Sequence, residues 1–271
     1  MRPELRDRPI GVFDSGLGGL TVFKALSRRL PRENLVYFGD TAHVPYGSKS
    51  AEEVERCSLA AARFLITKRI KALVVACNTS SALALRRLRR ELPVPVIGVI
   101  EPGARAAAAE SRGRKIGVIG TEATVLSGAY PRAIRKAFPG ARIKTAACPL
   151  FVPLVEEGWW SGPVALGVAR RYLAPLKRYG VDTLILGCTH YPLLKGVIGR
   201  VMGRGVRLVD SAQEVSREAE RLLADLGLGR AGPARRGRWS FFASDAPQRV
   251  LRLSRRWLGA DGIRVQLANL P

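Results

Sequence analysis

Two short stretches place a thiol among hydrogen-bond donors. Cys77-Asn78-Thr79-Ser80-Ser81 follows an apolar, β-branched run and opens a helical pattern. Free backbone N–H groups and the helix dipole favour an anion at such a start, and they favour thiolate over thiol. Asn78, Thr79 and Ser80 add side-chain donors suited to a carboxylate. Cys188-Thr189-His190-Tyr191-Pro192 also follows an apolar run and sets one of the chain's two histidines two residues beyond the thiol. An imidazole there can act as a base or stabilise a thiolate. Each stretch alone is read equally well as a buried cysteine beside a cap or turn. Their occurrence as a matched pair favours chemistry.

Three further motifs carry weaker signals. In Asp14-Ser15-Gly16-Leu17-Gly18-Gly19, a Gly-rich turn after a strand can cradle an anion. Gly16-x-Gly18 followed by Asp40 imitates a dinucleotide-binding fingerprint, but the third glycine of that pattern falls on Thr21, and Asp14 would oppose a pyrophosphate. The Asp14 carboxylate suits an ammonium group, or proton handling at a neighbouring thiol. Taken alone, Pro45-Tyr46-Gly47-Ser48 is a loop turn and Glu156-Glu157 a solvated acidic pair. Cys57 and Cys148 are read as structural thiols without polar company.

The elements that must position these groups are short apolar runs alternating with amphipathic helical stretches. Strands are expected at residues 10–14, 35–39, 72–77, 94–99, 115–120, 143–147, 183–188 and 206–210, with helices such as 51–68 and 80–91 between them. Runs apolar throughout suit strands buried on both faces of a parallel sheet, and the alternation indicates an α/β doubly wound architecture. The chain also looks duplicated. Residues 8–15 (RPIGVFDS) resemble residues 114–121 (RKIGVIGT), and residues 72–79 (ALVVACNT) resemble 183–190 (TLILGCTH), at offsets of 106 and 111. The expectation is two similar Rossmann-like domains with mainly parallel sheets. Each carries one cysteine at the C-terminal end of an equivalent strand, where ligands of open α/β sheets bind, and the active site lies in the cleft between them. The boundary is placed near 99–103. A helix at 212–226, a loop at 227–237 and a strand at 239–243 return to the first half, giving residues 1–98 plus 212–271 as one domain and 99–211 as the other.

The chain has 271 residues and is 47% hydrophobic, which supports a substantial core and excludes disorder. It contains no apolar run of the ~18–20 residues a membrane span needs and no signal-peptide pattern at its start, so a cytoplasmic protein is expected. Four scattered cysteines and two histidines make neither a disulfide framework nor a zinc site, and no metal is expected. The net charge of +23 invites a nucleic-acid reading. However, the arginines are scattered as helix-face pairs without interleaved aromatics, so nonspecific polyanion binding at low salt is the expectation.

Asp14-Ser15-Gly16, Pro45-Tyr46-Gly47, Cys77-Asn78-Thr79 and Cys188-Thr189-His190 together resemble the glutamate racemases of the aspartate/glutamate racemase superfamily, in order and spacing, from about Ile10 to beyond Asp210. The resemblance implies two α/β domains flanking the active site, no pyridoxal phosphate or other cofactor, and supply of D-glutamate for peptidoglycan. It implies that Cys77 takes the α-proton of D-glutamate and Cys188 that of L-glutamate. Asp14 would support Cys77, while Glu156 (chosen over Glu157 by motif position) and His190 would lie near Cys188. Asp14, Ser15, Pro45, Tyr46, Gly47, Asn78, Thr79, Ser80, Thr189 and His190 would hold the substrate. Ser80 stands where the family usually has alanine and is expected to add a hydroxyl near the carboxylate site. The alternatives are racemisation of aspartate or another amino acid, and a nucleic-acid- or gyrase-binding role. Retention of both cysteines separates the chain from decarboxylase-like relatives. A homodimer is an open expectation.

Overall fold

A computed structural model describes residues 3–230, 236–259, 263–268 and 270. Among the described residues, ten strands form two sheets. They are β1 (Ile10–Asp14), β2 (Leu35–Gly39), β3 (Ala72–Val75), β4 (Val96–Gly98), β5 (Lys115–Gly120), β6 (Arg142–Ala147), β7 (Thr183–Gly187), β8 (Arg207–Asp210), β9 (Trp239–Ala243) and β10 (Val265–Leu267). The six-stranded sheet runs β10-β9-β2-β1-β3-β4 and the four-stranded sheet β6-β5-β7-β8. Every strand pair is parallel. The central strands β1, β2, β3 and β7 are buried at every position, as helices on both faces require of a parallel sheet.

The two sheets repeat one motif. β3 lies beside β1 in the first, and β7 lies beside β5 in the second. Residues 8–15 and 114–121 therefore lead into equivalent strands, as do 72–79 and 183–190. Cys77 and Cys188 each follow the carboxyl end of a strand next to one of these. β9 and β10 add to the open edge of β2, so the chain's last strands complete the sheet begun by its first. The helix Ser211–Asp225 packs against both Leu20–Arg29 and Ile100–Glu110 and ties the two halves together.

Several elements differ from expectation. The strands expected to reach Cys77 and Cys188 stop at Val75 and Gly187, leaving both thiols in the turns beyond. The expected helix 80–91 is two helices, Asn78–Leu83 and Leu85–Glu91, hinged at Ala84. The middle of the loop 227–237, residues 231–235, lies outside the described residues. No helix among the described residues is long and apolar enough to cross a membrane.

At the amino edge of the first sheet a buried ion pair fastens distant segments. Lys71 pairs with Glu33, both nearly free of solvent, and donates to the carbonyls of Arg6 at 2.7 Å and Leu228 at 2.9 Å. Removing one partner strands the other charge in the interior. Lys71→Ala is expected to lower unfolding stability by about 3–5 kcal/mol, read by chemical denaturation. A loss below about 1 kcal/mol, the value of an exposed pair, would contradict this account.

Candidate active site

Cys77 caps the helix Asn78–Leu83 with extended backbone angles (φ −63°, ψ 123°), and its sulfur accepts the Ser80 N–H at 3.5 Å. Its S–H donates to Ser15 Oγ at 3.4 Å. Burial and the nearby Asp14 charge push the thiol up to about 11, against the opposing hydrogen bonds of Ser15 and Ser80. Asp14, at the end of β1, has no solvent exposure. Burial raises its pKa, while the His190 charge, the N–H groups of Gly19 and Gly16, and the Thr189 hydroxyl pull it back.

Cys188 is also buried, with its sulfur 3.8 Å from His190 Nδ1. His190 Nε2 lies 3.2 Å from Glu156 Oε1, and Glu156 Oε2 accepts from Arg249 Nη2 at 3.1 Å. Burial opposes the imidazolium, but the hydrogen bonds and charges of Cys188 and Glu156 outweigh it and raise His190 to about 10. His190 therefore carries its proton at neutral pH. Glu156 ends the helix Phe151–Glu156 and turns inward, whereas Glu157 is exposed.

The two thiol clusters meet. Thr189 Oγ1 donates to Asp14 Oδ1 at 3.4 Å, and Thr21 Oγ1 donates to the Thr189 carbonyl at 3.2 Å. On the other side of the gap Thr79 Oγ1 lies 3.0 Å from Thr121 Oγ1 and 3.2 Å from Thr124 Oγ1, while Asn78 Oδ1 accepts from Tyr130 at 2.7 Å. Gly18 makes the first approach feasible, because a Cβ there would sit 2.3 Å from Thr189 Oγ1 and 2.5 Å from His190 Nδ1. A cavity of about 370 Å³ opens beside this junction, lined by Val44, Pro45, Gly47, Thr121, Glu122 and Glu156 among others. A larger one, about 490 Å³, lies beside Leu85, Arg105, Arg132 and Lys136; neither is lined by a thiol, whereas Cys188 lines a small crevice with Asn78 and Thr189.

The structure encloses some of the expected groups. The Ser80 hydroxyl has no solvent exposure and accepts from Ser58 Oγ at 3.0 Å, so it stands in the wall behind Cys77 rather than among free carboxylate donors. The Tyr46 ring is buried and its hydroxyl donates to Asp40 at 2.6 Å, leaving Pro45 and Gly47 to face the cavity. Cys57, expected without polar company, donates to Glu53 at 3.4 Å and lies with Asp40 and His43 inside a 4.8 Å cluster. That cluster is already supplied with protons: Asp40 accepts from Tyr46, from Ser244 at 2.7 Å and from His43 at 2.9 Å. Cys148 is fully buried, its thiol raised far above the ordinary range by burial. Sequence reasoning passed over Tyr130, Thr121, Thr124 and Arg249. Only Thr121 had left a signal, as the repeat counterpart of Ser15.

Two thiols at equivalent strand ends, one beside a buried carboxylate and one beside a protonated imidazole, suit proton transfer at a single carbon. The Asp/Glu/Hydantoin racemase family model matches residues 10–219. The chain belongs to this racemase family. It is 54% identical over 252 residues to the glutamate racemase of Geobacter metallireducens, covering 93% of each chain. Among solved structures, glutamate racemase isoform RacE1 from Bacillus anthracis matches with a TM-score of 0.93 and 38% identity, covering 98% of this chain and 99% of that one. The Francisella tularensis glutamate racemase in complex with D-glutamate matches with a TM-score of 0.90 and 35% identity, covering 97% and 98%.

The racemase site depends on the Gly18 approach. Gly18→Ala is expected to displace Thr189 and His190 by about 1 Å and to cost about a hundredfold in kcat/KM, with a cooperative thermal melt retained. Full activity in a folded Gly18→Ala protein would show that the approach does not matter.

Proposed function

We propose that the chain interconverts L- and D-glutamate without a cofactor, with Cys77 and Cys188 as the two bases, and supplies D-glutamate for peptidoglycan. The observation that carries this reading is the meeting of two differently charged thiol clusters through Asp14 and Thr189. Kinship with glutamate racemases along nearly the whole chain supports glutamate as the substrate.

Racemisation must remove a proton from one face of Cα and return one to the other. With L-glutamate, Cys188 as thiolate takes the α-proton and becomes a thiol. The resulting carbanion, delocalised into the substrate carboxylate, takes a proton from the Cys77 thiol on the opposite face and leaves Cys77 as thiolate. D-glutamate runs the same steps in reverse, which resets the enzyme. The environments suit the resting state for this order. Burial and Asp14 push the Cys77 thiol up, which suits it as the acid of this order, and the His190 imidazole stands 3.8 Å from the Cys188 sulfur. Once Cys77 has given up its proton, Ser15 and the Ser80 N–H stabilise the thiolate left behind.

The carbanion is the costly species, and fixed donors around the carboxylate lower its energy. In this reading Ser15, the Pro45–Gly47 backbone, the Asn78 amide, Thr79 and Thr189 hold the substrate. Residues 1–98 with 212–271, and 99–211, form the two domains between which it binds. The same reading places the protein in the cytoplasm, where four free thiols remain reduced.

Cys77→Ser and Cys188→Ser are each expected to lower racemisation of glutamate by at least about a thousandfold, measured by chiral analysis of product. Both variants should retain the wild-type melting temperature. Appreciable turnover in either would defeat the two-thiol reading. Faster wild-type turnover of aspartate than of glutamate would defeat the choice of substrate.

A further inference from the structure

We propose that Arg249, on the helix Pro247–Leu258 near the chain's end, is a positioning residue for the reaction, holding Glu156 so that Glu156 orients His190 beside Cys188. The inference rests on the function proposed above and deepens it.

The contacts form one line. Arg249 Nη2 donates to Glu156 Oε2 at 3.1 Å, Glu156 Oε1 lies 3.2 Å from His190 Nε2, and His190 Nδ1 lies 3.8 Å from the Cys188 sulfur. The carboxylate thus spends one oxygen on each neighbour. A carboxylate held at one oxygen only can rotate about its terminal bond. One clamped at both oxygens presents the imidazole with an acceptor in a fixed place, and the imidazole in turn faces the sulfur in a fixed orientation.

The family model that matches the chain ends at residue 219, before the helix that carries Arg249. The helix is nonetheless built into the protein. Val250, Leu253 and Trp257 bury its inner face, and it packs on the helix Leu20–Arg29. Arg249 sits on the rim of that face, its side chain 41% exposed, while Glu156 is 13% and His190 4% exposed. The guanidinium is therefore open to solvent, whereas Glu156 and His190 are largely enclosed. Truncating it removes little packing and leaves the buried dyad short of one partner.

The charges around the dyad make the consequence specific. Glu156 faces His190 and Arg249, and burial would raise its pKa were it not for those two, which together hold it below the usual carboxylate range. His190 faces Cys188, Glu156 and, across the gap, Asp14. Arg256, a further cation of the same helix, stacks on Trp160 rather than joining the dyad. Loss of the Arg249 charge removes one of the influences that lower Glu156. Its protonation then begins at higher pH, and with it the loss of a properly held His190. Activity should disappear sooner on the acid side and be least affected above neutrality.

The test is the pH profile of kcat/KM for L- and D-glutamate in wild type, Arg249→Gln, Arg249→Lys, Glu156→Gln and the Arg249→Gln/Glu156→Gln double variant. The wild-type rate establishes whether glutamate is racemised at all, separately from what Arg249 does. Arg249→Gln is expected to lower kcat/KM about tenfold at pH 7, equally in both directions because the enantiomers have equal free energy. The loss should fall mainly on kcat, and the acid limb should move to higher pH. Arg249→Lys should recover part of the rate, and Arg249→Gln should cost almost nothing further once Glu156 is Gln. A wild-type profile in Arg249→Gln would overturn the inference. A loss of the same size with and without Glu156 would overturn it too, since it would show that Arg249 acts through the general fold.

Discussion

Asp14 and Thr189 meet across the gap between the two sheets. This contact constrains everything around it. For Thr189 Oγ1 to reach Asp14, β1 and β7 must end at the same level and point their carboxyl ends toward each other. The loop after β1 must also pass so close to Thr189 and His190 that residue 18 has no side chain beyond hydrogen. Those demands in turn place Cys77, in the turn after β3 beside β1, and Cys188, just past the end of β7, in the same junction. The arrangement is what parallel α/β sheets offer for ligand binding, used twice and set face to face.

The two halves are alike in backbone and unlike in charge. Around Cys77 the neighbour is a buried carboxylate, which disfavours a second negative charge. Around Cys188 it is an imidazole whose pKa is raised against burial by its hydrogen bonds to Cys188 and Glu156. The divergence of residues 14–15 from 120–121, and of 78–79 from 189–190, is where the two clusters come to differ.

Much of this was legible in the chain itself, for physical reasons. Strands buried on both faces must be apolar throughout, so β1, β3, β5 and β7 announce themselves, and their recurrence exposes the repeat. A thiol followed by donors at a helix start is equally visible at Cys77. Other features left no local mark. The choice between Glu156 and Glu157 depends on which of two adjacent side chains the end of a six-residue helix turns inward. The hinge at Ala84 carries neither glycine nor proline. The Ser80 hydroxyl shares a donor-rich stretch with Asn78 and Thr79. One residue further along the helix it turns back to Ser58, behind the thiol. Tyr130 and Arg249 reach Asn78 and Glu156 only through folding, from segments far away in sequence. The charge of +23 describes mainly the surface, where exposed arginines pair with glutamates such as Glu53, Glu91 and Glu218.

The central claim is that two different sulfur atoms serve opposite faces of one carbon. Early turnover of protiated L-glutamate in deuterium oxide tests this most directly, with mass spectrometry of the separated enantiomers. The account predicts that newly formed D-glutamate carries one deuterium at Cα while the remaining L-glutamate stays protiated. D-glutamate that keeps its original protium, or deuterium entering both enantiomers at the same rate from the outset, would mean that a single group moves the proton and would contradict the account.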